Sequence, residues 1–591
     1  MFKAIKRMRG QEVALLIFSM LLVLAQVWTE MKIPDYMSSI TMLVQTEGSQ
    51  MSAIWKAGGV MMLLALLSTL IGLTSGYVSA MLGGLYSKHL RSDIFNKVQS
   101  FSLNEIDRFS TASLITRSTN DITQLQMFIA GGLRMIIRTP ISVVVALVKI
   151  WGKHWQWTSL TGGAIIAVIG IVIIVIRYAH PRFRRMQELT DELNKVTRDN
   201  LTGIRVIRAY NAEEYQEKKF EEANDNLSYN MLSAQTIMSS TRPVMRFVNN
   251  GLTVGIYLIG AYLINSLVKT DPTNAIVTFS EMVVFSNYAS RLLMSFMNLE
   301  MIFNMIPRAS VAADRVNEVL DCELEIKDGT ETDGIEGKEG TVEFRNVSFT
   351  YPGTEGEVLS DISFTANKGE TVAFIGATGS GKTSLVNLIP RFYDTTKGEV
   401  LVDGRNVREY DQHSLRNLIG YAPQTAVLFS GTVSSNIEYG EGGNHAADED
   451  SEAEVKRAVA IAQATDFVEK MDNQYDAEIT RGGTNVSGGQ RQRLSVARVV
   501  YRKPEIYIFD DTFSALDFKT DRLLRAALKE ETAGVTTLIV AQRIGTIRDA
   551  DKIIVLDEGK VVGMGTHDEL MRKCQVYREI AYTQLSEEEL A

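Results

Sequence analysis

The chain has 591 residues, with 70 Asp and Glu against 61 Lys and Arg, a formal net charge of −9 and two cysteines. At roughly 100–200 residues per domain this length excludes a single compact core. The acidic balance argues against a nucleic-acid binder, which needs a Lys/Arg surplus to neutralise phosphates, and Cys322 and Cys574 are too few for a disulfide framework or a zinc cluster. All five tryptophans (Trp28, Trp55, Trp151, Trp155, Trp157) lie in the first 157 residues, whereas the glycine-rich loops lie beyond residue 340, so two unlike halves are joined.

Six stretches of the first half, approximately 13–33, 60–82, 128–150, 160–176, 252–267 and 276–303, are long and apolar enough to cross a bilayer as helices. The first follows Lys3, Lys6, Arg7 and Arg9, but it is too long for a removable signal and no small-residue cleavage site follows it. The loop 35–55 contains neither Lys nor Arg, while the connections after the second and fourth spans carry many, among them Arg91, Lys97, Arg182 and Arg205. Six spans with both termini cytosolic satisfy that asymmetry. Lys149, Lys153 and Lys269 are the outer-side exceptions, and the tryptophans fall at outer span ends, where aromatic rings anchor in the headgroup layer. The two cytosolic connections (88–127 and 182–246) are polar with periodic apolar positions, which predicts helices continuing far out of the membrane. Turns are expected at 107–111 and 210–214, making Arg108, Phe109 and Tyr210 candidate coupling residues. An amphipathic helix over 308–321 and a polar linker to 340 follow.

The second half opens with a short apolar strand, 371–375, followed by Gly376-Ala377-Thr378-Gly379-Ser380-Gly381-Lys382-Thr383-Ser384 and a helical run. This order suits a nucleotide phosphate. Glycines let successive backbone N–H groups face the oxygens, the helix N-terminus adds positive potential, Lys382 neutralises charge and the Thr383 hydroxyl ligates Mg²⁺. A second apolar strand, 506–509, ends in Asp510, whose carboxylate is placed to hold the same Mg²⁺.

With Val486-Ser487-Gly488-Gly489-Gln490 about a hundred residues after Lys382, the chain resembles a half-size ATP-binding cassette exporter (type IV fold, bacterial multidrug type) over nearly its whole length. The resemblance implies a multidomain protein: an all-α six-span transmembrane domain with long cytosolic helical extensions (1–320), a linker (321–340), an α/β P-loop ATP-binding cassette domain (341–580) and a C-terminal tail (581–591). It further implies that Tyr351 stacks on adenine, that Gln424 senses Mg²⁺, that Asp517 lies in a cross-dimer D-loop, and that Ser487, Gly488, Gly489 and Gln490 act on ATP held by a second half-transporter chain. A bacterial plasma membrane is the expected location.

Two departures stand out. The family usually has Glu where this chain has Asp511, and His where it has Gln542. Asp is one methylene, on the order of 1.5 Å, shorter than a site shaped for Glu requires, and Gln cannot become cationic. The expectation is a heterodimer in which this chain carries a slow ATP site and lends its signature to a non-identical partner. A slow homodimeric flippase and a regulatory or gating subunit are the alternatives. Transported amphipathic drugs, or lipids, are the expected cargo. Glu281 and Arg291, charged within the sixth span, and the adaptable thioethers Met294 and Met297 are candidate substrate contacts.

Overall fold

A computed structural model of the chain describes residues 2–46, 48–268, 270–440 and 449–584; Lys269 and the end of the expected tail lie outside them. The chain divides into two compact units, Met1–Gln99 with Thr111–Cys322, and Ser100–Ser110 with Glu323–Ala591.

The first unit is helical. Its principal rods are α1 (Gly10–Gln45) and α2 (Met51–Gln99), then, after the short α3 (Leu103–Phe109) of the second unit, α4 (Leu133–Ile150), α5 (Trp155–Thr202), α6 (Glu213–Val268) and α7 (Pro272–Leu320). Four of them, α1, α2, α5 and α6, are long and apolar enough to cross a membrane. The other two carry Arg134 and Arg138 (α4) and Glu281 and Arg291 (α7), which lower their apolarity. At about 1.5 Å per residue, the 48 residues of α5 extend roughly 70 Å, more than twice the hydrocarbon thickness. The polar connection therefore continues the membrane helix without a break. Left-handed residues Ser110 (φ 60°) and Asn211 (φ 50°) end α3 and the short helix Ile204–Ala209. The Asp271 side chain accepts from the Asn274 N–H at 3.1 Å and Pro272 opens α7, a capped start.

Two expectations need correction. The segment 308–321 is no separate helix: α7 runs through Pro307 to Leu320. Trp28, Trp55, Trp151 and Trp155 are exposed, as anchors should be, but Trp157 is fully buried, its ring 5.4 Å from Phe285 and 4.7 Å from His154. At the start of α5 that face meets α7 rather than lipid. The approach to α4 contains two π-helical segments, Arg117–Asp121 and Phe128–Gly132, which rotate the faces that follow.

Among the described residues of the second unit, twelve strands run in chain order: β1 (Val342–Phe349), β2 (Leu359–Ala366), β3 (Thr371–Gly376), β4 (Lys397–Val402), β5 (Arg405–Asn406), β6 (Ile419–Ala422), β7 (Gly431–Thr432), β8 (Glu478–Ile479), β9 (Ile506–Asp510), β10 (Thr536–Val540), β11 (Lys552–Asp557) and β12 (Lys560–Gly565). They form an antiparallel sheet in the order β2-β1-β4-β5, a mainly parallel sheet in the order β12-β11-β3-β10-β9-β6, and the pair β7-β8. Strand β9 is buried along its whole length, as a central parallel strand covered on both faces should be. The linker is stitched to this unit: the Gly329 N–H donates to the Tyr410 carbonyl (2.9 Å) and the Ile335 N–H to that of Asp403 (2.8 Å).

Candidate functional site: a nucleotide pocket and a charged membrane cavity

Four neighbouring parallel strands, β3, β10, β9 and β6, deliver their following residues to one edge of the sheet. The phosphate loop follows β3, Asp510 and Asp511 stand at the end of β9, Gln542 follows β10 and Gln424 follows β6. Carboxyl ends of parallel strands are where open α/β sheets hold ligands. The loop needs its glycines. Gly379 (φ 85°) and Gly381 (φ 94°) are left-handed, and a Cβ on Gly376 would stand 2.1 Å from the Leu556 carbonyl oxygen. Helix α8 (Lys382–Asn387) starts directly behind Gly381.

A cavity of about 350 Å³ opens here, lined by the expected nucleotide contacts Thr378, Gly379, Gly381, Lys382, Thr383, Ser384 and Gln424, by Asp511 and Gln542 at the expected catalytic positions, and by Val358 and Val540, which were not expected. Lys382 Nζ donates to the carbonyls of Gly376 (2.9 Å) and Ala377 (2.8 Å), and burial lowers its pKa despite the nearby carboxylates of Asp511 and Asp510. The Thr383 hydroxyl donates to Asp510 Oδ1 at 3.0 Å, and Tyr421 donates to Asp510 Oδ2 at 3.3 Å. Burial raises the Asp510 pKa against those two donors. A hydroxyl beside a desolvated carboxylate is an oxygen donor set that suits Mg²⁺. The Asp511 carboxylate is tied down: its Oδ2 accepts from Gln542 Nε2 at 2.7 Å and from Gln424 Nε2 at 3.2 Å.

Around the pocket, the Tyr351 hydroxyl lies 2.9 Å from Ser384 Oγ while its ring packs edge-on to Phe349 and Tyr393. Ser487 caps α9 (Gly488–Tyr501), its Oγ accepting from the Gln490 N–H at 3.3 Å while Gln490 Oε1 accepts from the Ser487 N–H at 2.8 Å. That reciprocal box fixes the first turn and leaves Ser487 and Gly488 exposed. Asp517 caps α10 (Phe518–Glu531). Of the coupling candidates, Arg108 and Phe109 belong to α3 in the second unit, with Phe109 stacked 5.7 Å from Phe101 and beneath the Arg108 guanidinium. Tyr210 belongs to the first unit and is exposed.

A second cavity, about 690 Å³, lies within the helical unit. Arg291 and Met294 line it; Glu281 and Met297 do not. Glu281 Oε1 instead pairs with Lys153 Nζ at 2.6 Å, and Met297 packs into the helical core. Sequence reasoning missed Glu30, Arg134 and Arg138, which join Arg291 there. The rule that singled out Arg291, an ionisable group inside an apolar span, would have found the two arginines within the third span. Tyr421 was missed too, and no motif marks it.

A phosphate-binding ATPase domain fused in one chain to long membrane helices defines an ATP-driven membrane protein. Residues 16–296 match the profile of the ABC transporter transmembrane region, and 359–514 that of the ABC transporter. An uncharacterised ABC transporter ATP-binding protein of Mycobacterium tuberculosis is 38% identical over 539 residues, 90% of each chain. The ATP-dependent lipid A-core flippase of Escherichia coli is 31% identical over 521 residues, 88% of this chain and 86% of the flippase. A bacterial Atm1-family ABC exporter solved with ATP bound superposes with a TM-score of 0.76 at 25% identity, over 98% of this chain and all of that one. The chain belongs to the ABC transporter family as a half-size exporter, and its second unit is an ATP-binding domain.

Proposed function

We propose that this chain is one half of a dimeric exporter of amphipathic molecules in a bacterial plasma membrane, with six spans and both termini cytosolic, and that its own ATP site is slow. The observation that carries the slow site is the Asp511 carboxylate, held by two carboxamide donors, Gln542 and Gln424, and one methylene shorter than glutamate. The loop amides and Lys382 hold the triphosphate. When bound, Mg²⁺ supplies charge neutralisation at the phosphate oxygens, and Thr383, Asp510 and Gln424 are the residues to hold it. Asp511 must then take a proton from the attacking water at hydrogen-bond distance. Its carboxylate stops short, and a misplacement on the order of 1 Å costs roughly 100-fold in rate. Gln542 donates a hydrogen bond but gains no charge as the transition state forms.

The exposed N-terminus of α9, with Ser487 through Gln490, offers its donors to ATP on a second chain, and Asp517 lies beside that junction. An unlike partner with an intact base would turn over its ATP against this signature while ATP stays bound at Lys382. ATP held across both chains favours the closed pair. Arg108 and Phe109 of α3 and the exposed Tyr210 pass closure to the helices, and the cavity changes its access from one side to the other. A full swing between two such states requires about 5.5 kcal/mol of differential binding.

The test is ATPase activity of the purified chain alone and with a co-expressed neighbouring half-transporter. The expected result is slow turnover alone, fast turnover together, and a gain at this site from Asp511→Glu with Gln542→His. Robust hydrolysis by the chain alone that Asp511→Asn abolishes would refute the unlike pair. A second reading, a homodimeric lipid flippase, draws on the 31–32% identity to lipid A-core flippases of Escherichia coli and Pseudomonas.

A further inference from the structure

Among its described lining residues, the membrane cavity carries an unbalanced charge. Glu30 is the one carboxylate among its described lining residues, against the guanidiniums of Arg134, Arg138 and Arg291. Glu30 is already shared: Arg138 Nη2 donates to both its oxygens at 2.8 and 2.9 Å, Arg291 Nη1 lies 3.5 Å away, and Gln26 donates at 3.0 Å. Arg134 makes no ion pair or hydrogen bond among the described residues. It stands one helical turn before Arg138 on α4, so both reach the same side. Its guanidinium reaches across to Gly76 of α2, where a Cβ would lie in ordinary contact with Arg134 Nη1 at 3.6 Å. Directly before it, the π-helical segment Phe128–Gly132 turns Ala130 and Gly131, rather than larger side chains, into the cavity. An unpaired guanidinium inside a span is costly in hydrocarbon and marks a ligand path. Three thioethers, Met31, Met135 and Met294, line the same space and adapt to irregular apolar shapes.

We infer that this cavity receives an amphiphile with an anionic head (a phosphate, sulfonate or carboxylate) rather than a cationic drug. Arg134 meets the head with Arg138 and Arg291 beside it, and the apolar remainder lies along the methionines. Guanidinium forks bind phosphate and carboxylate in pairs of charge-assisted hydrogen bonds. This deepens the exporter reading and rests on it only for the direction of movement.

The test is equilibrium binding to the full chain with its partner in neutral-lipid nanodiscs, without ATP, using dodecyl phosphate against dodecyltrimethylammonium. Dodecyl phosphate is expected to bind at least 10-fold tighter, Arg134→Gln to weaken it about 10-fold, and Arg134→Lys to retain part of the affinity, with ATP binding unchanged in both variants as the sign of an intact fold. Displacement by phosphatidylglycerol added to the nanodisc, dependent on Arg134, identifies a lipid headgroup as the source. Failure of that displacement, with dodecyl phosphate still bound, identifies a free amphiphile. Equal or tighter binding of the cation, Arg134→Gln without effect on the anion, or binding by the chain alone that the partner abolishes overturns the inference. Arg134-dependent binding without ATP-driven uptake into inverted vesicles leaves the site standing and defeats the exporter reading. ATP-driven uptake of a cation such as Hoechst, indifferent to Arg134, does the reverse.

Discussion

Asp403 is a buried carboxyl group whose ionisation weakens the second unit. It occupies the first central position of the β4–β5 turn (φ 51°), followed by Gly404 (φ 76°), the left-handed pair of a tight hairpin. The residue is 2% exposed, and Oδ1 has no hydrogen-bond partner among the described residues. Burial, with the charge of Glu505 adding to it, raises its pKa from 3.8 to about 6. A carboxyl that holds its proton more tightly folded than unfolded favours the native state at low pH. That contribution is full below about pH 4, is lost as pH rises towards 6, and stays lost above it. The ionised form therefore costs roughly 3 kcal/mol at pH 7.5. Asparagine tolerates the left-handed turn and cannot ionise. Asp403→Asn should regain roughly 2–3 kcal/mol at pH 7.5, about half of that at pH 5 and little at pH 4. For a domain of this size the gain corresponds to a rise in Tm of roughly 4–10 °C. All five tryptophans lie in the helical unit, so far-UV circular dichroism of the full chain, or hydrogen exchange at β4, reads the change. A variant no more stable at pH 7.5, or a gain independent of pH between 5 and 7.5, would refute the reasoning.

Three further outcomes follow from named contacts. Gly376→Ala should reduce ATP binding by at least about 100-fold, measured with a fluorescent ATP analogue, because the new methyl would stand 2.1 Å from the Leu556 oxygen and displace the loop. Glu105 in α3 accepts from the N–H groups of Glu325 and Ser102, each at 2.8 Å, and these bonds, with that from the Ser102 hydroxyl, together outweigh burial and lower its pKa. Glu105→Ala should cost about 1–3 kcal/mol locally and depress transport while ATP affinity holds, read by vesicle uptake against nucleotide titration. Tyr351→Phe should keep most nucleotide affinity and Tyr351→Ala lose about 10-fold or more, since stacking belongs to the ring while the hydroxyl contacts Ser384.

Much of this protein was legible along the chain because its chemistry is local. A strand, a glycine loop and a helix N-terminus are consecutive, so Gly376 to Ser384 could be placed from spacing, and apolar runs of about twenty residues mark themselves as membrane helices. The polar stalks were legible too, because periodic apolar positions continue past the apolar runs, and the structure carries its helices through Pro181 and Pro243. Contacts between distant segments were not. Glu281 and Arg291 share a helix and a charge pattern, yet only packing decided that one pairs with Lys153 and the other with Glu30, 261 positions away along the numbering. Trp157 looked like its four relatives until α7 covered it. The hold of Gln542 and Gln424 on Asp511 joins the ends of three strands that are neighbours only in the folded sheet. Residue type and spacing by themselves determined which groups can bind phosphate and which segments can enter lipid. The tertiary structure decided which charges meet, because ion pairing depends on distances that helix packing and strand order set.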